Sequence, residues 1–299
     1  MSSPSIIQLN LQTKRPVEIR APSKPAVKPT KPLPPPQPPI QRGLVRCLLI
    51  GINYVGIPDI QLYGCINDIL NTEIHLRKYY PKCSQYKLLT DMTPVKPTRA
   101  NILAGIDWLV HGLVPGQNVY FHYSGHGGKV IDKNGDEVSG EDSCIFPYSG
   151  NRTECITDDE LRQYLVEKLP AGCKCFAVLD SCHSGSAMDL RYMWQCPSYG
   201  NLSFTQDQAY AKSKGKVIFL SGCKDDQYAM DTVNEKGIAS GAMTNALLYT
   251  WNTYKVGIKV KHLLWDVRKY LQENGYEQIP QLSSSLSFNS EESLDLNIY

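Results

Sequence analysis

The sequence predicts an α/β fold: a mostly parallel central sheet flanked by helices on both faces. Three observations carry this. Short apolar runs ending in small or polar residues recur at 44–53, 86–89, 118–123, 175–179 and 216–221, which is how buried parallel strands read. Stretches of helical periodicity separate several of them, the alternation that builds βαβ units. Two of the runs end in a small polar turn, Tyr-Ser-Gly-His-Gly-Gly at 123–128 and Asp-Ser-Cys-His-Ser-Gly at 180–185. In such sheets, groups just past the carboxyl ends of strands converge on one crevice.

Taken in order, 44–53 (LVRCLLIGIN) is a central strand ended by Gly and Asn. Residues 65–80 place Ile66, Ile69, Leu70, Ile74 and Leu76 at helical spacing, and Pro81 stops the helix. After a strand at 86–89, Thr98 caps a helix to His111 that carries Ile102, Leu103, Ile106, Leu109 and Val110. The strand to Tyr123 follows. Residues 129–138 alternate around Asn134-Gly135, the signature of a β-hairpin outside the main sheet. Thr157-Asp-Asp-Glu160 is a capping box opening a helix to Leu169. Residues 186–215 lose periodicity and are too long for an ordinary connection, so this stretch is expected to be functional or mobile. Helices at 241–254 and 260–274 and a short strand at 278–283 complete the chain.

Composition narrows the function. The chain has 299 residues, enough for one large domain and a tail, with a net charge of +2 that makes no general case for nucleic acid. No apolar run approaches a membrane span and no signal-peptide core stands at the N-terminus, so a cytoplasmic protein is expected. The ten cysteines are scattered, several inside apolar runs, and form no Cys-x-x-Cys pair; this argues for a reducing compartment and against structural zinc. Residues 1–43 hold 11 of the 20 prolines and are basic. With little to bury, this segment is expected to be disordered or polyproline II, a spacer or, through Pro32 and Pro35, a ligand for a Pro-motif-binding partner.

The chemistry lies in the two turns. Cys182 sits among Asp180, Ser181, His183 and Ser184, polar neighbours that argue against a buried structural thiol. His126 lies between Gly125 and Gly127, which leave its ring uncrowded; His122 and His183 are its rivals. A thiol beside an imidazole can attack a carbonyl and then protonate the leaving amine. The backbone N–H groups of Gly127 and Cys182 are candidates for an oxyanion hole.

These two turns, together with Gly64-Cys-Ile-Asn-Asp68, resemble type I metacaspases of the caspase-like peptidase clan, from about residue 44 to the end of the chain. The resemblance implies a caspase-hemoglobinase fold, with a large-subunit-like half at 44–190, a linker at 191–215 and a small-subunit-like half at 216–299. It implies a cysteine endopeptidase with a His126/Cys182 dyad, cutting after Arg or Lys in a pocket lined by Cys65, Asp68, Ser124 and Asp180. Carboxylates suit such a pocket because a guanidinium binds them in bidentate fashion. The competing reading of Asp68 is a solvated charge in the first turn of a helix. The resemblance also implies weakly bound Ca²⁺ at Asp142, Asp158, Asp159 and Asp189, although 137–142 is shorter in acid than is usual there. Asp158 and Asp159 could instead simply open a helix. Self-cleavage is a further expectation at Lys212, Lys214, Lys216 or Arg191, with the basic tail acting as a pseudosubstrate. The expected enzyme is a monomer acting on protein or peptide substrates. The alternative is a non-catalytic scaffold working through the Pro-rich tail.

Overall fold

The computed structural model describes residues 41–299 apart from 133–134, 136–139, 183–186, 209, 211, 223–230, 234–238, 256, 290 and 298–299. The Pro-rich tail with Pro32 and Pro35, Asn134, Glu137, His183, Ser184 and Gly185 lie outside the described residues.

The central sheet has eight strands in the order β2-β1-β3-β7-β10-β13-β8-β9. These are β1 (Gly43–Gly51), β2 (Gln85–Thr90), β3 (Gln117–Ser124), β7 (Lys174–Asp180), β8 (Tyr192–Ser198), β9 (Asn201–Gln206), β10 (Lys216–Ser221) and β13 (Gln281–Ser284). The first five in spatial order pair in parallel and the last three join antiparallel. The strands in the middle are apolar on both faces because both faces are covered. Leu48 and Ile50 of β1 point into a core with Ile102, Ile106 and Leu109 of α2 (Arg99–Val110). Cys47 and Leu49 point the other way, toward α1 (Cys65–Tyr79), α4 (Ala242–Tyr254) and α5 (Val260–Glu273). Thr98 caps α2 by accepting the Asn101 N–H at 3.3 Å.

Two elements, α1 and α3 (Asp158–Leu161), depart from the expected pattern. In α1 the inward face is Cys65, Asp68, Ile69, Thr72, His75 and Leu76, whereas Leu70 and Ile74 are 41% and 67% exposed. The helix is rotated so that a polar stripe meets the sheet, and the site explains why. The small antiparallel sheet pairs β4 (Gly127–Ile131) with β5 (Glu141–Ile145) and β6 (Ile156–Thr157). The β4–β5 pair is the expected hairpin outside the main sheet, running to Ile131 opposite Glu141, while Asn134 lies outside the described residues. The Thr157 capping box is present at the start of α3 (Asp158–Leu161), but the helix loosens into a π turn over Arg162–Val166 and stops short of Leu169.

The stretch at 191–215, expected as a functional or mobile linker, carries regular structure. It contains the β8–β9 hairpin, turned at Tyr199-Gly200 with Gly200 at φ +73°, and β8 docks on β13. Tyr192, Trp194 and Cys196 are buried while Gln195 and Pro197 are exposed, a period-two alternation hidden among polar residues. The Trp194 indole N–H donates to Ser284 Oγ at 2.8 Å and fixes the register.

Candidate active site

Strands β3 and β7 are direct neighbours, and their pairing ends with Ser124 opposite Asp180. The two polar turns therefore leave the sheet side by side. The Gly125 N–H donates to the Asp180 carbonyl at 3.3 Å. A Cβ on Gly127 would stand 2.2 Å from the Cys182 carbonyl oxygen and 3.0 Å from Ser181 Oγ, so only glycine lets the backbones touch here. This contact brings His126 and Cys182 to one rim, both half-exposed, and Cys182 is not in a disulfide.

His126 is held from several directions. Its Nε2 lies 2.7 Å from the Ile60 carbonyl. A carbonyl only accepts, so Nε2 carries the hydrogen and Nδ1 is left as the base. The backbone N–H of His126 donates to the Tyr54 hydroxyl at 3.0 Å, and the Tyr123 hydroxyl donates to its carbonyl at 2.7 Å. The Tyr54 ring sits 4.8 Å from the imidazole. Tyr54 is fully buried with φ at +53°, a left-handed conformation that is costly for a bulky residue. Asp91 holds it there by accepting the Asn53 and Val55 N–H groups at 2.9 and 2.8 Å. Burial raises both tyrosine hydroxyls well above their ordinary range, so they stay protonated.

Beside the turns lie Asp68 and Asp180, 1% and 4% exposed. Asp68 Oδ2 accepts from Ser124 Oγ at 2.7 Å, and its Oδ1 accepts the Gly241 N–H at 2.8 Å. Asp180 Oδ2 accepts both the N–H and the Oγ–H of Thr244, at 2.9 and 2.7 Å. A Cβ on Gly241 would stand 2.2 Å from Asp180 Oδ2 and 2.8 Å from Asp68 Oδ2. The two carboxylates thus meet across the backbone that opens α4, where N–H dipoles favour negative charge. Cys65, buried, begins α1 on the same side. Of the sequence-predicted pocket residues, Asp68, Ser124 and Asp180 are gathered directly. The competing reading of Asp68 as a solvated helix charge does not describe a residue buried and bonded in this way.

The four acidic residues named for calcium form a second group. Asp142, Asp158 and Asp189 are buried and Asp159 is half-buried. Burial first, then Asp189 and more weakly Asp142, pushes the Asp158 carboxyl up to about 9, against backbone N–H bonds from Ser143 at 2.7 Å and Asp159 at 3.0 Å. Asp189 adopts a left-handed φ of +45°, its carbonyl taken by the Arg162 guanidinium. Asp142 and Asp159 line a cleft of about 720 Å³. Among the described residues, no three His, Cys, Asp or Glu side chains stand ready-made around a metal. The donors are of the right kind for a hard cation, gathered but not closed on a common point.

The candidate cleavage sites fall elsewhere. Lys216 begins β10 opposite Lys174, at the end of the sheet remote from Cys182, and its ammonium is bound to Glu292 at 2.8 Å. Lys212 and Lys214, both exposed, precede it at that same end. The Arg191 carbonyl accepts the Asp207 N–H and its guanidinium donates to the Tyr210 carbonyl, each at 2.8 Å.

Sequence reasoning did not single out Tyr54, Ile60, Tyr123, Gly241 or Thr244. Ile60 and Gly241 act through backbone atoms, which leave no side-chain signature. Tyr54 and Tyr123 read as core aromatics, and only the adjacency of Tyr123 to Ser-Gly-His hinted at more.

A doubly covered, mostly parallel sheet with a half-exposed thiol and imidazole on adjoining turns defines a cysteine peptidase of the caspase-like kind. Residues 45–191 match the family described as metacaspase, peptidase C14 domain. Metacaspase-1 of Mycosarcoma maydis is 35% identical over 82% of this chain and 71% of its own length. Metacaspase-1 of Schizosaccharomyces pombe is 32% identical over 82% of this chain and 68% of its own length. The crystal structure of a Geobacter sulfurreducens protein shares the fold with a TM-score of 0.58 at 22% identity, over 83% of this chain and 95% of that one. The chain belongs to the metacaspase family. Among the described residues, no helix is long and apolar enough to cross a membrane.

Proposed function

We propose that this cysteine peptidase is an endopeptidase that cuts after Arg or Lys, with Cys182 as nucleophile and His126 as the acid–base partner. The observation that carries the specificity is the pair of buried carboxylates, Asp68 and Asp180, meeting at Gly241 beside the Cys182 turn. A buried acid pair rejects acidic and apolar side chains and rewards a guanidinium that can donate to both. His126 Nδ1 takes the Cys182 proton as sulfur attacks the scissile carbonyl, while Ile60 holds the ring by its other nitrogen. The backbone N–H groups of Gly127 and Cys182 receive the developing oxyanion. The Nδ1 proton then passes to the leaving amine, and water hydrolyses the Cys182 thioester.

We further propose Ca²⁺ as activator, held by Asp142, Asp158, Asp159 and Asp189. A bound cation would offset the burial, and after it the charges of Asp189 and Asp142, that raise the Asp158 carboxyl. The 720 Å³ cleft beside Asp142 and Asp159 is the route of entry. Lys212 and Lys214 are the proposed self-cleavage sites, since they are exposed and Lys216 lies within a strand.

The test is a positional scan of fluorogenic peptides, varied at the residue on the acyl side of the scissile bond, with and without Ca²⁺. Hydrolysis of Arg and Lys peptides on adding Ca²⁺, abolished by Cys182→Ala and His126→Ala, is expected. A preference for Asp or for apolar residues would overturn the specificity, and full rate in chelator would overturn the calcium role.

A further inference from the structure

The side chain of His122 is fully buried in β3, where a sequence reading makes it a rival to His126 or a mere core residue. Its surroundings assign it other work. His122 Nε2 lies 3.3 Å from Thr244 Oγ1, and its Nδ1 lies 3.3 Å from Thr72 Oγ1 and 3.4 Å from the Tyr120 hydroxyl. Thr244 Oγ1 in turn donates to Asp180 Oδ2 at 2.7 Å. We propose that Thr244, oriented by His122, is a positioning residue that aims the Asp180 carboxylate and so sets the discrimination between cationic and neutral substrates. This rests on the reading of Asp68 and Asp180 as the specificity pocket.

The direction of every hydrogen in the chain is fixed by its end. Asp180 accepts only, so the Thr244 hydroxyl hydrogen points at Oδ2 and its lone pairs face away. His122 must then present Nε2–H to those lone pairs and use Nδ1 as acceptor from Thr72 or Tyr120. Burial holds the His122 ring neutral, with its pKa lowered to about 3, so this single tautomer persists over the working range. Thr72 is itself fully buried in α1, one turn on from Asp68. The relay therefore couples α1, β3, β7 and α4, the four elements that supply the pocket. It also accounts for the rotation of α1 that sends Leu70 and Ile74 to solvent: the face carrying Asp68 and Thr72 must look inward.

A carboxylate held by two donors of one residue has its plane fixed, and a planar guanidinium rewards that alignment. The Thr244 N–H bond survives loss of the hydroxyl, so the effect is a loosening and not a collapse. The experiment compares Thr244→Val, which keeps shape and removes the hydroxyl, with Thr244→Ser, which keeps the hydroxyl. Each is measured on matched peptides with Arg or the neutral isostere citrulline before the scissile bond. Alkylation of Cys182 by iodoacetamide monitors whether the site is intact.

Thr244→Val is expected to lower the Arg-to-citrulline ratio of kcat/KM about tenfold, mainly through KM, and Thr244→Ser to restore it within about twofold. An unchanged ratio in Thr244→Val, beside a collapsed ratio in Asp180→Asn, would overturn the relay while leaving the pocket standing. An unchanged ratio in Asp180→Asn as well would mean that the pocket reading has failed. A ratio lost equally in Thr244→Val and Thr244→Ser, with iodoacetamide reactivity retained, would also refute the role of the hydroxyl.

Discussion

Asp68 and Asp180 are as deeply buried as Asp142, Asp158 and Asp189, yet the two groups are partnered in opposite ways. The first pair receives N–H and O–H donors from Gly241, Thr244 and Ser124, at the positive end of a 13-residue helix. In the second group burial, then Asp189 and more weakly Asp142, raises Asp158 against the backbone N–H bonds from Ser143 and Asp159. Burial alone thus does not define an acidic site; the donors around it do. Carboxylates fixed by hydrogen bonds have a set orientation and can read the shape of an organic cation. Carboxylates that repel one another await a cation of higher charge, whose geometry they can adapt to.

The sharpest way to break this contrast is to neutralise one member of each group without changing its shape. Asp180→Asn should cost on the order of a hundredfold or more in kcat/KM for Arg peptides, the scale for removing one partner of a desolvated charge pair. Its calcium dependence should be unaltered. Asp158→Asn should do the reverse, shifting the calcium concentration for half-activation upward while the ranking of Arg over citrulline persists. Substrate titrations at saturating Ca²⁺ and calcium titrations at fixed substrate separate the two. If both variants change both quantities alike, the division of labour is wrong.

A second, smaller effect follows from the sign of the Asp158 shift. Its folded pKa, about 9, stands above the ordinary 3.8, so between those values the folded state binds more protons than the unfolded one. Stability from this group is present in acid and is lost as pH rises through that window. Buried His75 and His122 act oppositely: their pKa values are lowered to about 4 and about 3 by burial, so their contribution is lost as pH falls below 6.5. Urea midpoints of the wild type in chelator should therefore fall toward alkaline pH more steeply than those of Asp158→Asn. Saturating Ca²⁺ should flatten the difference. Parallel curves for the two proteins would show that Asp158 is ionised without metal.

Much of this could be read from the chain before any coordinates. The β1, β3, β7 and β10 runs are apolar on both faces, and the α2 cap and the α3 capping box are local signals, so each was legible at its own position. The His126 and Cys182 turns were legible because glycine and small polar residues cluster where strands end. What escaped was non-local. The inward face of α1 carries Asp68 and Thr72 because their partners, Ser124, Gly241 and His122, arrive from far along the chain. No periodicity within 65–79 contains that information, and the apolar Leu70 and Ile74 point the wrong way. The β8–β9 hairpin escaped because half of its residues face solvent and its stability comes from docking on β13, later in the sequence.

The smallest effect concerns the two ends of the sheet. The carboxylates sit with Cys182 beyond the carboxyl end of β7, whereas Lys212, Lys214 and Lys216 gather at the amino end of its neighbour β10. At a rise of about 3.3 Å per residue, the length of β7 and its turn puts roughly 25 Å between them. Lys216 is also held there, its ammonium and that of Lys174 both paired with the Glu292 carboxylate. A folded molecule cannot carry Lys212 or Lys214 to its own nucleophile without unpairing β10, so cleavage there has to be done by a second molecule. The cleaved fraction at a fixed time should rise with protein concentration, and wild-type enzyme should cut Cys182→Ala protein at Lys212 or Lys214. Because these lysines stand far from the pocket, replacing both with Ala should leave kcat/KM for Arg peptides within about twofold. A concentration-independent rate would instead place the scissile chain within reach of its own cleft, and the separation of the two ends would have to yield.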